Sequence, residues 1–337
     1  MTIFVRMTTN LSTMAGMYRA GEVYEVTDAI GTHWIRSGMA EWSDIPPAYM
    51  QEFYGRLDTT QPNTPHIFLP FCGEFGHLII SHIRQVHHHT AKHKIVCCKP
   101  GEQVLFPSAT SFFFDWKDPI PDAEKAGTIR VSPYDRPPLQ WPLILERFPE
   151  AIPVKAGGMT MTQEHIPLYP EKRIPFQPRR RGLKADICLG VRSREFCPER
   201  NFPAKSWQII ADAITTHGYT FGVVGKRPTS FDLAGQQWHS GDYDTDASIE
   251  AIQNCRLWCG TDTGTSHLAA AIGVPMIIFR ADNSTTFIDL MRTFNSPHPL
   301  TFLADCWKPQ PIIDAIFAGL DSLKREQNTE IKIGVTA

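Results

Sequence analysis

Asp262, Thr263, Gly264, Thr265, Ser266 and His267 place a carboxylate, three hydroxyls, an imidazole and a glycine in one short turn. Residues 257–259 before the turn are apolar and read as a short buried strand, and residues 268–272 after it read as a helix. Gly273, Val274 and Pro275 end that helix and lead into a second apolar strand at residues 276–279. A helix that opens on Thr263, Gly264, Thr265 and Ser266 leaves its first amides unpaired under little side-chain cover, at the positive end of the helix dipole. Such a start binds anions, phosphate in particular. The same residues also make an ordinary strand-to-helix turn with a hydroxyl cap, and spacing alone does not choose between the two.

A second cluster lies upstream. Arg200, Asn201, Phe202 and Pro203 precede a segment in which Trp207, Ile210, Ala211 and Ile214 recur at i, i+3, i+4 and i+7, one face of a helix. Gly218 ends that helix, and residues 219–224 read as a strand closed by Gly225. Arg200 offers phosphate oxygens a bidentate guanidinium. A solvated loop arginine is the plain alternative.

Taken together, residues 262–275 resemble the diphosphate-binding signature of glycosyltransferases related to the lipopolysaccharide heptosyltransferases. Thr265 stands where that family carries proline. Residues 200–203 fill the place of the family's Lys-x-Trp-Pro segment, with Arg200 for the lysine. The resemblance implies a nucleotide-sugar donor whose diphosphate is held by Asp262, Thr263, Gly264, Thr265, Ser266 and His267, with Arg200 stabilising the leaving diphosphate. Arg192, Gly225 and Lys226 are expected to complete the donor side. Metal is not required where helix amides and Arg200 neutralise the diphosphate. Asp242, Tyr243 and Asp244 have Asp-x-Asp spacing, but they lie in a loop far from the phosphate turn in sequence.

The acceptor is expected at the loop of residues 71–77, which follows an apolar strand and opens a helix. Gly73 and Gly76 let backbone approach a ligand closely. The family ends this loop in Gly-Asp, and that Asp is its catalytic base. Here Gly76 is followed by His77, so the base is not matched. Glu74 is the nearest carboxylate. Transfer to a hydroxyl needs a base to take its proton, and either Glu74 or His77 could serve, Glu74 being favoured. A helix-capping Glu74 with a surface His77 is the alternative. Gly73, Phe75, Arg179 and Arg180 are the candidate acceptor contacts.

Those residues need a scaffold. A chain of 337 residues is long enough for about two domains, each with its own core. Strands at residues 67–69, 94–97, 104–106 and 185–189 alternate with helices, one over residues 76–88 and the last bearing Ile312, Ile313, Ile316, Phe317, Leu320 and Leu323. This pattern predicts an α/β fold with parallel sheets, and the resemblance implies two Rossmann-like domains, the GT-B architecture. The division is residues 1–45 as a small N-terminal α+β module, 46–65 as a linker, 66–180 as the acceptor domain and 181–325 as the nucleotide-sugar domain. Ligands bind outside the carboxyl ends of such strands. The eight cysteines sit mostly on apolar segments, which suits buried thiols in a reducing compartment better than disulfides.

A formal net charge of −2 gives no global field toward nucleic acid or membrane. No apolar run is long enough to span a bilayer and no secretory segment opens the chain, so a cytoplasmic protein is expected. Residues 1–45 resemble a small module of tailed-phage proteins, carried by residues 10–26. That resemblance implies a phage enzyme in an infected bacterial cell. A hydroxymethylated base in phage DNA is then the favoured acceptor, reached through inverting transfer. Lys172, Arg173, Arg179, Arg180 and Arg181 form one basic cluster for phosphate contacts, and Arg84, Lys92 and Lys94 with residues 87–93 form another. The alternatives are a surface glycan or protein as acceptor, or a non-catalytic phage adaptor with a degenerate transferase fold.

Overall fold

The computed structural model describes residues 2–13, 16–42, 63–71, 75–116, 141–154, 174–195, 198–282 and 300–334. The chain begins with a three-stranded antiparallel sheet, order β4-β1-β5, made of β1 (Thr2–Met7), β4 (Val23–Thr27) and β5 (Ala40–Trp42). Helix α1 (Asp28–Arg36) packs on it, and Val5, Met7, Val26, Trp34 and Ala40 form the core between them. The turn after α1 falls on Gly38, whose φ of +71° is a left-handed conformation that glycine adopts without cost. A short hairpin of β2 (Leu11–Thr13) and β3 (Gly16–Tyr18) extends this unit.

The next sheet is parallel throughout, in the order β8-β7-β6-β9, from β6 (His66–Phe68), β7 (Lys94–Cys97), β8 (Ser111–Phe113) and β9 (Ile152–Val154). The chain leaves β6 in one direction to reach β7 and later returns to its other side as β9. The order therefore reverses beside β6, and the carboxyl end of β6 lies where open α/β sheets bind ligands. The helix expected over residues 76–88 is present but divided. It begins as α2 (Phe75–His77), widens into a π-helix at Leu78–Ile83 and continues as α3 (Arg84–His88). The strand expected at residues 104–106 is instead a 3-10 turn at Gln103–Leu105. Gly101 turns the chain at φ +90° just before it, and Pro107 removes a ladder donor just after it, so the buried Leu105 and Phe106 fill the core from a turn. Helix α4 (Trp141–Arg147) precedes β9.

The third sheet has five parallel strands in the order β11-β10-β12-β13-β14. They are β10 (Ile187–Gly190), β11 (Phe221–Val223), β12 (Leu257–Thr261), β13 (Met276–Phe279) and β14 (Leu300–Leu303). Helices α5 (Ala204–Thr216), α6 (Thr245–Gln253), α7 (Gly264–Ile272) and α8 (Pro309–Gly334) cover it. The strand order reverses between β10 and β12. Trp207, Ile210, Ala211 and Ile214, the stripe read from spacing, are all buried on α5. Trp207 alone removes enough apolar surface that truncation to alanine costs about 3–5 kcal/mol.

The two parallel sheets share one core. Leu78, Ile79 and Ile83 of the π-helical segment lie in the same buried cluster as Leu268, Ala269, Ala270 and Ala271 of α7. Three consecutive alanines keep α7 thin, so the two helices approach closely. Cys97, Cys98, Cys188, Cys259 and Cys306 are buried free thiols, as the sequence suggested, and Cys255 is half-buried. Burial pushes the Cys97 and Cys98 thiols up to about 12, which keeps them protonated and inert.

Candidate functional site

Helix α7 starts at the carboxyl end of β12, beside the reversal of strand order. The Ser266 hydroxyl accepts from the Thr263 amide at 3.0 Å, one half of a capping box. The Ser266 amide itself bonds the Thr263 carbonyl at 3.1 Å. Its donor is spent there, and the amides of Gly264 and Thr265 are the ones that make no hydrogen bond among the described residues. The hydroxyls of Thr263 and Thr265 lie 2.9 Å apart at the same helix start. At the other end, Gly273 closes the helix in the left-handed region at φ +82°, and its amide bonds the Ala269 and Ala270 carbonyls.

Asp262 is the hub of the site. It is 4% exposed and takes charge from two directions. Arg200 Nη2 donates to the Asp262 carbonyl at 2.6 Å and stands 3.3 Å from Oδ2. Arg280 Nη1 donates to that same Oδ2 at 2.8 Å. His267 Nε2 lies 3.5 Å from Oδ1. Burial alone would raise the Asp262 carboxyl. The His267 hydrogen bond and the charges of His267, Arg200 and Arg280 outweigh it and hold the group below its ordinary value. Asp262 therefore stays a carboxylate and fixes two guanidiniums beside the free amides of α7.

Arg280 escaped the sequence reading. It directly follows β13, and a cation at the carboxyl end of a strand next to the phosphate turn was the available signal. Arg192, at the end of β10, is buried, and its Nη1 donates to Asn201 Oδ1. Asn201 also bonds the Arg194 backbone at both its amide and its carbonyl, so the loop that carries Arg200 is tied to the end of β10. Gly225 and Lys226 follow β11. The Gly225 amide donates to Ser240 Oγ at 3.1 Å, and Lys226 is exposed. The polar loop around them is latched by Arg227, whose Nε and Nη2 pair with Asp242 at 2.6 and 2.7 Å.

The start of α2 reaches this turn directly. A Cβ built on Gly264 would lie 2.8 Å from Phe75 Cδ1, and one built on Gly76 would lie 2.8 Å from His267 Cδ2. The start of α2, at Phe75 and Gly76, thus packs against Gly264 and His267 at the start of α7. Gly264 needs its bare Cα for the packing of Phe75 and Gly76, so a bulky replacement there would disturb this contact and would not report on phosphate binding alone. Gly73 and Glu74 lie outside the described residues, as does the His77 side chain.

The basic clusters fare differently. Arg84 and Lys94 are buried. Lys94 Nζ bonds the Val86 and His87 carbonyls at 2.7 and 3.1 Å and so caps the end of α3. Burial lowers its pKa to about 8. These two cations serve the core, and the expected basic face over residues 84–94 does not form around them. Arg181 Nη1 pairs with Asp246 at 2.8 Å, and its Nη2 pairs with Asp244 at 2.9 Å. The Arg179 amide donates to both Asp246 oxygens, and Arg181 and Gly182 donate theirs to Glu250 Oε1. The link is strapped to α6 by these bonds, while the Arg179 and Arg180 side chains are exposed. A cavity of about 670 Å³ beside the strap is lined by Arg180, Lys184, Glu250 and Gln253 and by no residue of the phosphate turn. Lys172 and Arg173 lie outside the described residues.

This architecture can be compared with known proteins. No protein-family model matches the chain, and no curated protein matches it. Solved structures do. The chain is similar to a glycosyl transferase family 9 protein from Veillonella parvula, with 14% identity over 72% of this chain and 86% of that one, at a TM-score of 0.50. It is likewise similar to the ADP-heptose lipopolysaccharide heptosyltransferase II of E. coli, with 14% identity over 77% of this chain and 99% of that one, at a TM-score of 0.51. The fold is theirs. Two parallel α/β sheets in series, with the site at their facing carboxyl ends, are the GT-B arrangement that the phosphate turn implied. Among the described residues no helix is long and apolar enough to cross a membrane.

Proposed function

We propose that the chain is a glycosyltransferase that moves a sugar from a nucleoside-diphosphate donor to an acceptor hydroxyl. The observation that carries this reading is the pair of arginines fixed by buried Asp262 at the start of α7. Free amides, the hydroxyls of Thr263 and Thr265, and two guanidiniums converge where a departing diphosphate develops charge. Arg200 sits on a loop fixed to β10 through Asn201, so its position is set before substrate arrives. Such preorganised donors can supply the neutralisation that a divalent cation supplies elsewhere, and the reaction is read as metal-independent.

The acceptor enters on the side of Phe75 and Gly76, which touch the donor turn. A base from the loop of residues 71–77 takes the hydroxyl proton as its oxygen attacks the anomeric carbon, and the donor sugar inverts. Glu74 fills that role and His77 is the alternate. The phage-like residues 1–45 favour hydroxymethylated DNA as acceptor. The exposed cations left for a duplex are fewer than the sequence offered, because Arg84, Lys94 and Arg181 are engaged within the protein. A surface glycan is the competing acceptor.

The test is nucleoside diphosphate release from a panel of sugar nucleotides, with and without hydroxymethylated DNA and with glycan acceptors. Release that requires one acceptor and disappears in Arg200→Ala supports the reading. No release and no binding of any sugar nucleotide would remove it. Transfer to DNA should fall steeply with salt as phosphate contacts release counterions. Transfer confined to a glycan and insensitive to salt would reject DNA and keep the enzyme class.

A further inference from the structure

Arg280 holds two carboxylates at once. Its Nη1 donates to buried Asp262, while its Nε and Nη2 fork onto Asp282 at 2.7 and 2.9 Å. The two acids differ in what surrounds them. The Asp262 side chain is 5% exposed and that of Asp282 is 59% exposed. A buried carboxylate held by two arginines cannot leave without stranding charge, whereas an exposed one can return to water at little cost. The fork that Asp282 fills has the two-donor geometry with which a guanidinium binds phosphate.

The backbone beneath Arg280 is fixed. Its amide donates to the Leu303 carbonyl at 3.1 Å, and its carbonyl accepts from the Cys306 amide at 2.8 Å. Because Arg200 Nη2 and Arg280 Nη1 share one Asp262 oxygen, the two nitrogens lie within about 6 Å of each other. That separation suits adjacent phosphoryl groups. In formal charge, Arg200 and Arg280 balance Asp262 and Asp282, so an incoming diphosphate is held strongly only when one of the acids gives way.

We propose that Arg280 is a second diphosphate-binding cation of the donor site and that Asp282 is its resident counter-anion, displaced by the donor's phosphate. This deepens the glycosyltransferase reading and rests on it. Asp262 orients Arg280, and Asp282 sets how tightly the site takes an anion. Removing the Asp282 charge should strengthen anion binding, and the gain should depend on Arg280.

The experiment is calorimetric titration of the full chain with inorganic pyrophosphate, ADP and UDP in wild type, Arg280→Ala, Asp282→Asn and the double variant. Arg280→Ala should weaken binding of the probe that wild type takes best by roughly tenfold, the scale of one charge-assisted bidentate pair. Asp282→Asn should tighten it several-fold. The double variant should bind like Arg280→Ala, because in this proposal the acid acts through its fork with the arginine. A gain from Asp282→Asn that persists without Arg280 is a general charge effect and overturns the proposal, as does an unchanged affinity in Asp282→Asn. Asp282→Asn leaves the buried Asp262 pairs in place, so its result stands even where Arg280→Ala fails to fold. If wild type binds none of the three probes, the donor reading itself falls. Binding by wild type without coupling between Arg280 and Asp282 removes only this inference.

Discussion

Gly76→Ala is a one-carbon perturbation placed where the two parallel sheets meet. The new methyl would stand 2.8 Å from His267 Cδ2 and 3.4 Å from its Nε2. Ordinary contact begins near 3.4 Å, so the imidazole must withdraw by roughly 0.6 Å or the α2 backbone must recede by the same amount. His267 has little room, since it is buried and its Nε2 stands 3.5 Å from Asp262. Overpacking of this kind costs about 1–3 kcal/mol, which for a chain of this size lowers Tm by roughly 1–4 °C. The catalytic effect should be larger than the thermal one. A displacement near 1 Å at a reacting centre costs about a hundredfold, so a shift of about half that should lower turnover by roughly tenfold. Differential scanning calorimetry gives the first quantity, and nucleoside diphosphate release at saturating donor gives the second. A Gly76→Ala protein with wild-type Tm and wild-type turnover would refute the close approach of the two halves at this point.

Arg200→Ala should lower turnover by about a hundredfold, the effect of removing one preorganised donor, and Arg200→Lys should recover part of it; equal turnover for wild type and Arg200→Ala would show a merely structural cation. His82 is fully buried against Phe71 and Phe106, and burial lowers its pKa to about 4. The unfolded chain then takes up this proton first as pH falls below 6.5, so stability should drop between pH 6.5 and 4 by on the order of 3 kcal/mol from this group. Urea unfolding of His82→Leu at several pH values should show a shallower acid slope, and an unchanged slope would assign it to other groups. Asp246→Asn should loosen the strap of Arg179 and Arg181 and cost about 1–3 kcal/mol, because it removes one of the two carboxylate charges that hold Arg181 and one of the oxygens facing the Arg179 amide, while the Asp244 pair remains; a variant as stable as wild type would show that the strap contributes nothing.

Long periodic segments were legible in the sequence because local pattern and tertiary burial agree there. The stripe of Trp207, Ile210, Ala211 and Ile214 packs as read, and β7 occupies the predicted residues. Short apolar runs were legible at β6, β12 and β13 but not at residues 104–106, because three apolar residues fill a core equally well from a turn, as Leu105 and Phe106 do. The π-helical widening at Leu78–Ile83 has no periodic signature distinct from an ordinary helix at that length. At the candidate site, residues 262–267 and Arg200 were visible as a local motif, and the structure brings Arg200 onto Asp262. The link of Arg280 to Asp262 and the use of Arg181 were not, since those partners stand 18 residues and more than 60 residues away in the chain. Charge clusters read from sequence overstated the basic surface for the same reason: Lys94 and Arg84 look solvated in a polar run but are drawn inside.

The strap on α6 also says where the second half begins. Counting strands puts its start just before β10. The bonding puts it earlier, since Ile174 donates its amide to the Ala271 carbonyl and Gln253 Nε2 reaches the Phe176 carbonyl. Asn254 Nδ2 holds the Leu183 carbonyl in the same way. A fragment cut at Ala185 would expose the carboxylates of Asp246 and Glu250 and the back of α7 at a single stroke. One cut at Ile174 keeps every one of those partners. Residues 174–183 are a connector by position and a flank of the second half by bonding, and a library that recombines halves between relatives should move them together with α6.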